Sequence, residues 1–102
     1  MFRPVCPAAE LWSGDLRAAK LDGMPVVVLR VGDTVHAYQD RCAHLGAPLS
    51  DGTLEGGVLT CAAHHWQYDA TTGRGINPAH TCLVRLATRL EAGVICVDPE
   101  AP

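Results

Sequence analysis

Four side chains able to ligate a transition metal stand in two short clusters, Cys42-Ala43-His44 and Cys61-Ala62-Ala63-His64, with sixteen residues between them. Each cluster joins one thiol to one imidazole. Two kinds of centre use two Cys and two His. A structural zinc site gathers all four around one ion in a closed tetrahedron. A [2Fe-2S] centre can instead keep two cysteines on one iron and two histidines on the other, so that each loop gives one ligand to each iron. Zinc fingers usually put two to four residues between paired cysteines and keep like ligands together, whereas each arm here is mixed and the first is only Cys-x-His. The spacing therefore points to iron and sulfide. A zinc-stabilised interaction module is the alternative, and two surface loops that merely contain Cys and His are the reading any motif match must face.

The neighbouring residues carry a resemblance. The run Leu54-Glu55-Gly56-Gly57-Val58-Leu59-Thr60-Cys61 through His64-His65-Trp66, followed by Gly73-Arg74-Gly75-Ile76-Asn77-Pro78, resembles the Rieske-type ferredoxin components of bacterial diiron aromatic and alkene monooxygenases, over nearly the whole chain. Cys-x-His and Cys-x-x-His mark the broad Rieske class; Trp66 and the Gly-x-Gly-Ile-Asn-Pro stretch mark the monooxygenase branch. The resemblance implies one Rieske-type [2Fe-2S] cluster on Cys42, His44, Cys61 and His64, an all-β fold of three small antiparallel sheets, and a cluster-binding subdomain at about residues 40–69. It also implies a one-electron carrier without substrate chemistry of its own, fed by an NADH-dependent flavin reductase and serving a diiron hydroxylase in hydrocarbon catabolism. The ferredoxin of an aromatic-ring dioxygenase system is the alternative within the class; that branch more often has small glycines after the second-loop His.

Length and charge are compatible with this. A chain of 102 residues is expected to be one domain, 1–102, with no room for a catalytic domain beside a cluster module. Eight basic and eleven acidic residues give a net charge of −3, against the basic face of a nucleic-acid binder. Met1-Phe2-Arg3-Pro4 does not begin a secretory h-region and no apolar run approaches a membrane span, so a soluble cytoplasmic protein is expected. Five cysteines in such a compartment do not read as disulfides; Cys6, Cys82 and Cys96 are expected to be small buried hydrophobes.

The elements that must position the ligands read as short strands between tight turns, a sandwich or barrel pattern. Strands are expected at Phe2–Val5, Leu16–Leu21, the β-branched run after Asp22-Gly23, Thr34–Gln39 after Gly32-Asp33, Val58–Thr60, Gln67–Asp69, Cys82–Leu90 and Val94–Val97. Ala8–Trp12 reads as one helical turn or a loop with Trp12 facing the core, His36 as a solvent-facing strand residue, and Ile76–Thr81 as irregular. Gly46 and Pro48 suit a ligand loop, the first through backbone freedom and the second by stiffening its exit. The turns Asp51-Gly52 and Gly56-Gly57 fold the intervening residues into a hairpin that brings the two ligand loops side by side.

Adjacent histidines at 64 and 65 compete for one ligand position; Cys-x-x-His selects His64 and leaves His65 as a candidate partner contact. His80 reads as surface. Trp66 is either a core aromatic or an exposed ring where a partner docks. Asp40, Asp51, Glu55 and Asp69 outnumber Arg41 between positions 40 and 69 and read as solvated charges able to steer docking. By comparison with high-potential Rieske proteins, Ala47 and Ala63 replace a bracing disulfide and Trp66 replaces a Ser whose hydroxyl bonds the cluster, which implies a potential at the low end, roughly −150 mV. Tyr68 either donates its hydroxyl to the sulfur of Cys42 or packs as a Phe would with the hydroxyl in water; the usual Phe of this branch favours the second.

Overall fold

A computed structural model describes all residues, 1–102. Ten strands follow in order: β1 Arg3–Pro7, β2 Leu16–Leu21, β3 Met24–Val31, β4 Thr34–Gln39, β5 Thr53–Glu55, β6 Val58–Thr60, β7 Gln67–Asp69, β8 Gly75–Asn77, β9 Arg85–Glu91 and β10 Val94–Asp98. The only helical pieces are single 3-10 turns at Ala8–Glu10 and Leu49–Asp51. No helix is long and apolar enough to cross a membrane.

All pairings are antiparallel. A six-stranded sheet has the order β1-β10-β9-β4-β3-β2, and a four-stranded sheet the order β5-β6-β7-β8. The three sheets expected are therefore two by hydrogen bonding, because β9 continues past its partner β10 to meet β4. That junction is narrow, with only Ala37 opposite Leu86 and Tyr38 opposite Arg85.

β3 explains how one small chain supports two cores. Side chains alternate across a strand, so Val26 and Val28 enter a cluster with Cys6, Leu11, Leu21, Ala37, Leu86, Ile95 and Val97. Val27 and Leu29 enter the other, with Tyr38, Cys42, Leu49, Leu59, Cys61, Tyr68, Ala70 and Leu83. A strand buried on both faces reads as a continuous apolar run, which is what Val26-Val27-Val28-Leu29 is. The second cluster is the floor of the four-stranded sheet and contains both ligand-candidate cysteines.

Hydrogen bonds fasten this sheet to its base. The Tyr38 hydroxyl donates to the Ala70 carbonyl at 2.8 Å, and Gln39 N–H donates to the Val84 carbonyl at 2.9 Å. Asp40 is buried, and its carboxylate accepts from the Ser50 N–H at 2.8 Å and the Ser50 hydroxyl at 2.6 Å. It braces the first ligand loop from inside, so it is not the surface charge expected from the sequence.

Other expectations move for local reasons. Trp12 does not face the core: Leu11 takes that place, and the Trp12 indole N–H is satisfied at the surface by the Ala9 carbonyl at 3.1 Å. Cys6 and Cys96 are buried as expected, but Cys82 is exposed, since alternation turns its neighbour Leu83 inward. The first strand runs to Pro7. β9 starts only at Arg85, because residues 82–84 are used by the other sheet through the Arg74–Cys82 bridge and the Leu83 N–H to Gly73 carbonyl bond. Gly75–Asn77 is a strand that overlaps the start of the stretch read as irregular, pairing with Gln67 and Tyr68. His36 is half-buried on β4, its ring nitrogen 2.9 Å from the Thr34 hydroxyl.

Candidate metal centre

The two ligand loops repeat one backbone design. In the first, Cys42 N–H donates to the Ala47 carbonyl at 2.8 Å and Gly46 N–H donates back to the Cys42 carbonyl at 3.0 Å. In the second, Cys61 N–H donates to the Trp66 carbonyl at 2.8 Å and His65 N–H to the Cys61 carbonyl at 3.0 Å. The residue four after each cysteine closes the turn in a left-handed conformation, Gly46 at φ +78° and His65 at φ +59°. Glycine adopts this without cost and histidine only with strain. His65 thus occupies the place of Gly46, as a turn residue with an exposed side chain.

Inside these turns the donors separate by type. Cys42 and Cys61 are buried at 2 % and 1 % exposure. His44 and His64 are exposed, their Nδ1 atoms 3.2 Å apart and their rings edge to face at 4.5 Å. The grouping is two thiols within and two imidazoles at the tip. A tetrahedral single-ion site would gather all four around one point. A centre of two irons, one taking thiolates and the other imidazoles, needs the paired arrangement seen here. The residues fit a [2Fe-2S] group better than zinc.

Burial pushes the Cys61 thiol up, the Ala63 amide draws it down, the adjoining Cys42 raises it further and the His64 amide lowers it. Amides aimed at the sulfur are what a bound thiolate requires. Tyr68 is fully buried on β7, its hydroxyl oxygen 3.2 Å from the Cys42 sulfur and 3.2 Å from the Ala43 nitrogen. The hydroxyl does not face water, which corrects the preferred expectation. Register sets its direction: Tyr68 lies opposite Leu59, and alternation sends both side chains into the core beneath the loops. Burial, then the contact with Cys42, pushes its ionisation far above the ordinary tyrosine range, so it remains a proton donor.

Trp66 combines both of its sequence readings. It is half-buried against the core cluster that holds Cys42 and Cys61, and its ring stacks on His44 with centroids 4.5 Å apart and planes 26° from parallel. His80, exposed as expected, meets the same ring edge to face with centroids 6.4 Å apart. The matching position of the first loop is Ala47, which has no ring to offer, so the two imidazoles have unlike surroundings. Pro48 is exposed at the loop's exit, just before the 3-10 turn at Leu49–Asp51. The Asp40–Ser50 brace escaped sequence reading because its members are ten residues apart and neither belongs to a local motif.

The comparisons with known proteins agree with this geometry. The family model described as Rieske [2Fe-2S] domain matches residues 1–88. The chain is 35 % identical over 97 residues to the ferredoxin component of an alkene monooxygenase system from Xanthobacter autotrophicus, covering 94 % of this chain and 80 % of that one. It is also 35 % identical over 100 residues to the ferredoxin subunit of the 3-phenylpropionate/cinnamic acid dioxygenase of Escherichia coli, covering 94 % and 92 %. Among solved structures, a complex of reduced oxygenase and oxidised ferredoxin of carbazole 1,9a-dioxygenase superposes with a TM-score of 0.91 at 32 % identity, over 99 % of this chain and 95 % of the matched one.

Proposed function

The chain belongs to the Rieske [2Fe-2S] domain family, and on that premise we propose that it is a ferredoxin carrying single electrons from an NADH-dependent flavin reductase to the diiron hydroxylase of a monooxygenase. Cys42 and Cys61 would hold the inner iron and His44 and His64 the outer one. When bound, the cluster supplies a one-electron couple. The chain's own contribution is to keep the thiolates dry, to present the imidazole edges at the surface and to direct donors at sulfur. The observation that carries the proposal is the separation of donors, cysteines under 3 % exposed and histidines facing each other at an open tip. An electron enters and leaves most readily where the centre comes nearest the surface, and that place is the tip.

The alkene monooxygenase relative supports the hydroxylase as the acceptor. An aromatic-ring dioxygenase is the second reading, favoured by the likeness to the E. coli dioxygenase ferredoxin subunit and to the carbazole dioxygenase complex. The protein operates as a soluble cytoplasmic component and transforms no substrate. Reconstitution decides between acceptors: the cluster-loaded protein, a flavin reductase and NADH are combined with a diiron hydroxylase or with a dioxygenase oxygenase, and product is measured. Turnover with the hydroxylase alone is the expected result; turnover with the dioxygenase alone replaces the first reading by the second, and none with either overturns both.

A further inference from the structure

A groove runs beside the first ligand loop, between Arg41, His44 and Leu45 on one wall and Cys82 and Val84 on the other. We propose that this groove is the specificity element for the oxygenase component, receiving from it an apolar side chain flanked by a carboxylate; this rests on the ferredoxin function proposed above.

Three observations carry it. First, Leu45 and Val84 are 72 % and 56 % exposed, so two large apolar side chains stand in water on facing walls. Single exposed hydrophobes are ordinary, but a facing pair that lines one depression is the arrangement a partner's apolar anchor fills. Second, Arg41 is the only charged residue of the lining, and like Arg74 and Arg85 it makes no ion pair, whereas Arg3, Arg17, Arg30 and Arg89 do. Asp40, its neighbour, is turned inward onto Ser50. A chain of net charge −3 thus offers one unpaired cation at this face, the complement of a carboxylate. Third, the groove reaches His44 itself, so it is continuous with the tip at which electrons would pass.

Both walls are fixed before any partner arrives. The Cys42–Ala47 and Gly46–Cys42 bonds close the first, and Gln39 N–H to Val84 carbonyl with Leu83 N–H to Gly73 carbonyl hold the second. A rigid receptor loses little entropy on binding. Its occupant is assigned to the oxygenase because one of the solved likenesses that cover 99 % of this chain comes from a complex of a ferredoxin with an oxygenase.

The test uses the cluster-loaded protein with its cognate reductase and oxygenase components. Val84→Asp places a negative charge against the proposed carboxylate on the wall that bears no ligand, and Arg41→Glu reverses the cation. Each should raise the KM for the ferredoxin in oxygenase turnover about tenfold, the scale of losing one interfacial anchor. Arg41→Lys should stay near wild type. The visible spectrum and the rate of reduction by the flavin reductase should change less than twofold. An unchanged KM with the oxygenase, or an equal loss with both components, overturns the groove as a specificity element. Absence of wild-type turnover would defeat the ferredoxin reading instead, so the two failures are distinct.

Discussion

The Tyr68 hydroxyl oxygen lies 3.2 Å from both the Cys42 sulfur and the Ala43 nitrogen. An amide can only donate, so the Ala43 N–H occupies an acceptor site on the oxygen. With Cys42 ligating iron as proposed above, its thiolate could only accept, and the tyrosine proton would point to sulfur. Hydrogen bonds to sulfur favour the reduced, more electron-rich state. Tyr68→Phe should therefore lower the reduction potential by roughly tens of millivolts, the equivalent of a fraction of a kcal/mol for one electron. Protein-film voltammetry of both forms measures this; no downward shift would mean that the hydroxyl does not act on the sulfur.

The matched turns of the two loops separate the adjacent histidines. His65 stands at the left-handed turn position that Gly46 fills in the first loop. His65→Gly should retain the iron and stabilise the protein by about 1 kcal/mol, through relief of the strained conformation. His64→Ala should lose or convert the centre. Wild-type protein should contain two irons and two labile sulfides per chain. Metal analysis and thermal unfolding of the three proteins are the measurements, and iron retained by His64→Ala but lost by His65→Gly would reverse the ligand assignment.

Gly52 links the first loop to the strand that delivers the second. A Cβ there would collide with the Thr60 carbonyl oxygen, a backbone atom with no freedom to withdraw. Thr60 is followed by Cys61, so relief of the clash must move a ligand candidate. Gly52→Ala should cost about 2–3 kcal/mol and reduce iron incorporation together, as overpacking at a fixed backbone does. Chemical denaturation and iron content measured side by side would show whether the two losses are linked.

Trp66→Ala removes a half-buried ring that stacks on His44. The expected cost is about 1–3 kcal/mol, below that of a fully buried tryptophan. The cluster should persist, while electron delivery to the oxygenase slows. Stopped-flow oxidation of the reduced variant by the oxygenase tests this; an undiminished rate would restrict Trp66 to packing.

His36 carries a pH dependence of definite sign. Burial first, then Arg85, lowers its pKa below 6.5, against an opposing pull from Asp69. The native state therefore favours the neutral ring, which also meets the Thr34 hydroxyl. As pH falls through 6.5 the unfolded chain takes up the proton first, so stability is lost until the lower native value is passed. His36→Gln should flatten the fall in melting temperature below pH 6.5, and the His36 ring protons should titrate by NMR below that value.

What could be read from the sequence was what is encoded locally. Asp22-Gly23, Gly32-Asp33 and Gly56-Gly57 all turn where their residue types demand, and the two Cys/His clusters are contiguous enough to be seen whole. The Tyr68 hydroxyl, the inward Asp40, the outward Trp12 and the exposed Cys82 each depend on partners distant in sequence or on which of two alternating faces finds the core. A residue type cannot report that choice. The matched backbone bonds of the loops were hidden for another reason: Gly46 and His65 share a conformation but no chemistry.

The narrow pairing of β4 with β9 has a bearing on how the protein acquires its iron. The chain leaves the six-stranded sheet after Gln39 and returns at Arg85, and those ends are held together by Tyr38 opposite Arg85 and by the Gln39–Val84 bond. The intervening forty-odd residues form an excursion whose mouth is closed by the base itself. Val26, Val28, Ala37, Leu86 and Val97 build their core without any residue of that excursion. A second core ties the excursion to the base, where Val27, Leu29 and Tyr38 meet Leu49, Leu59, Tyr68 and Leu83. Iron would then be delivered to loops already held on a folded platform, and cluster delivery would complete the rim rather than fold the chain.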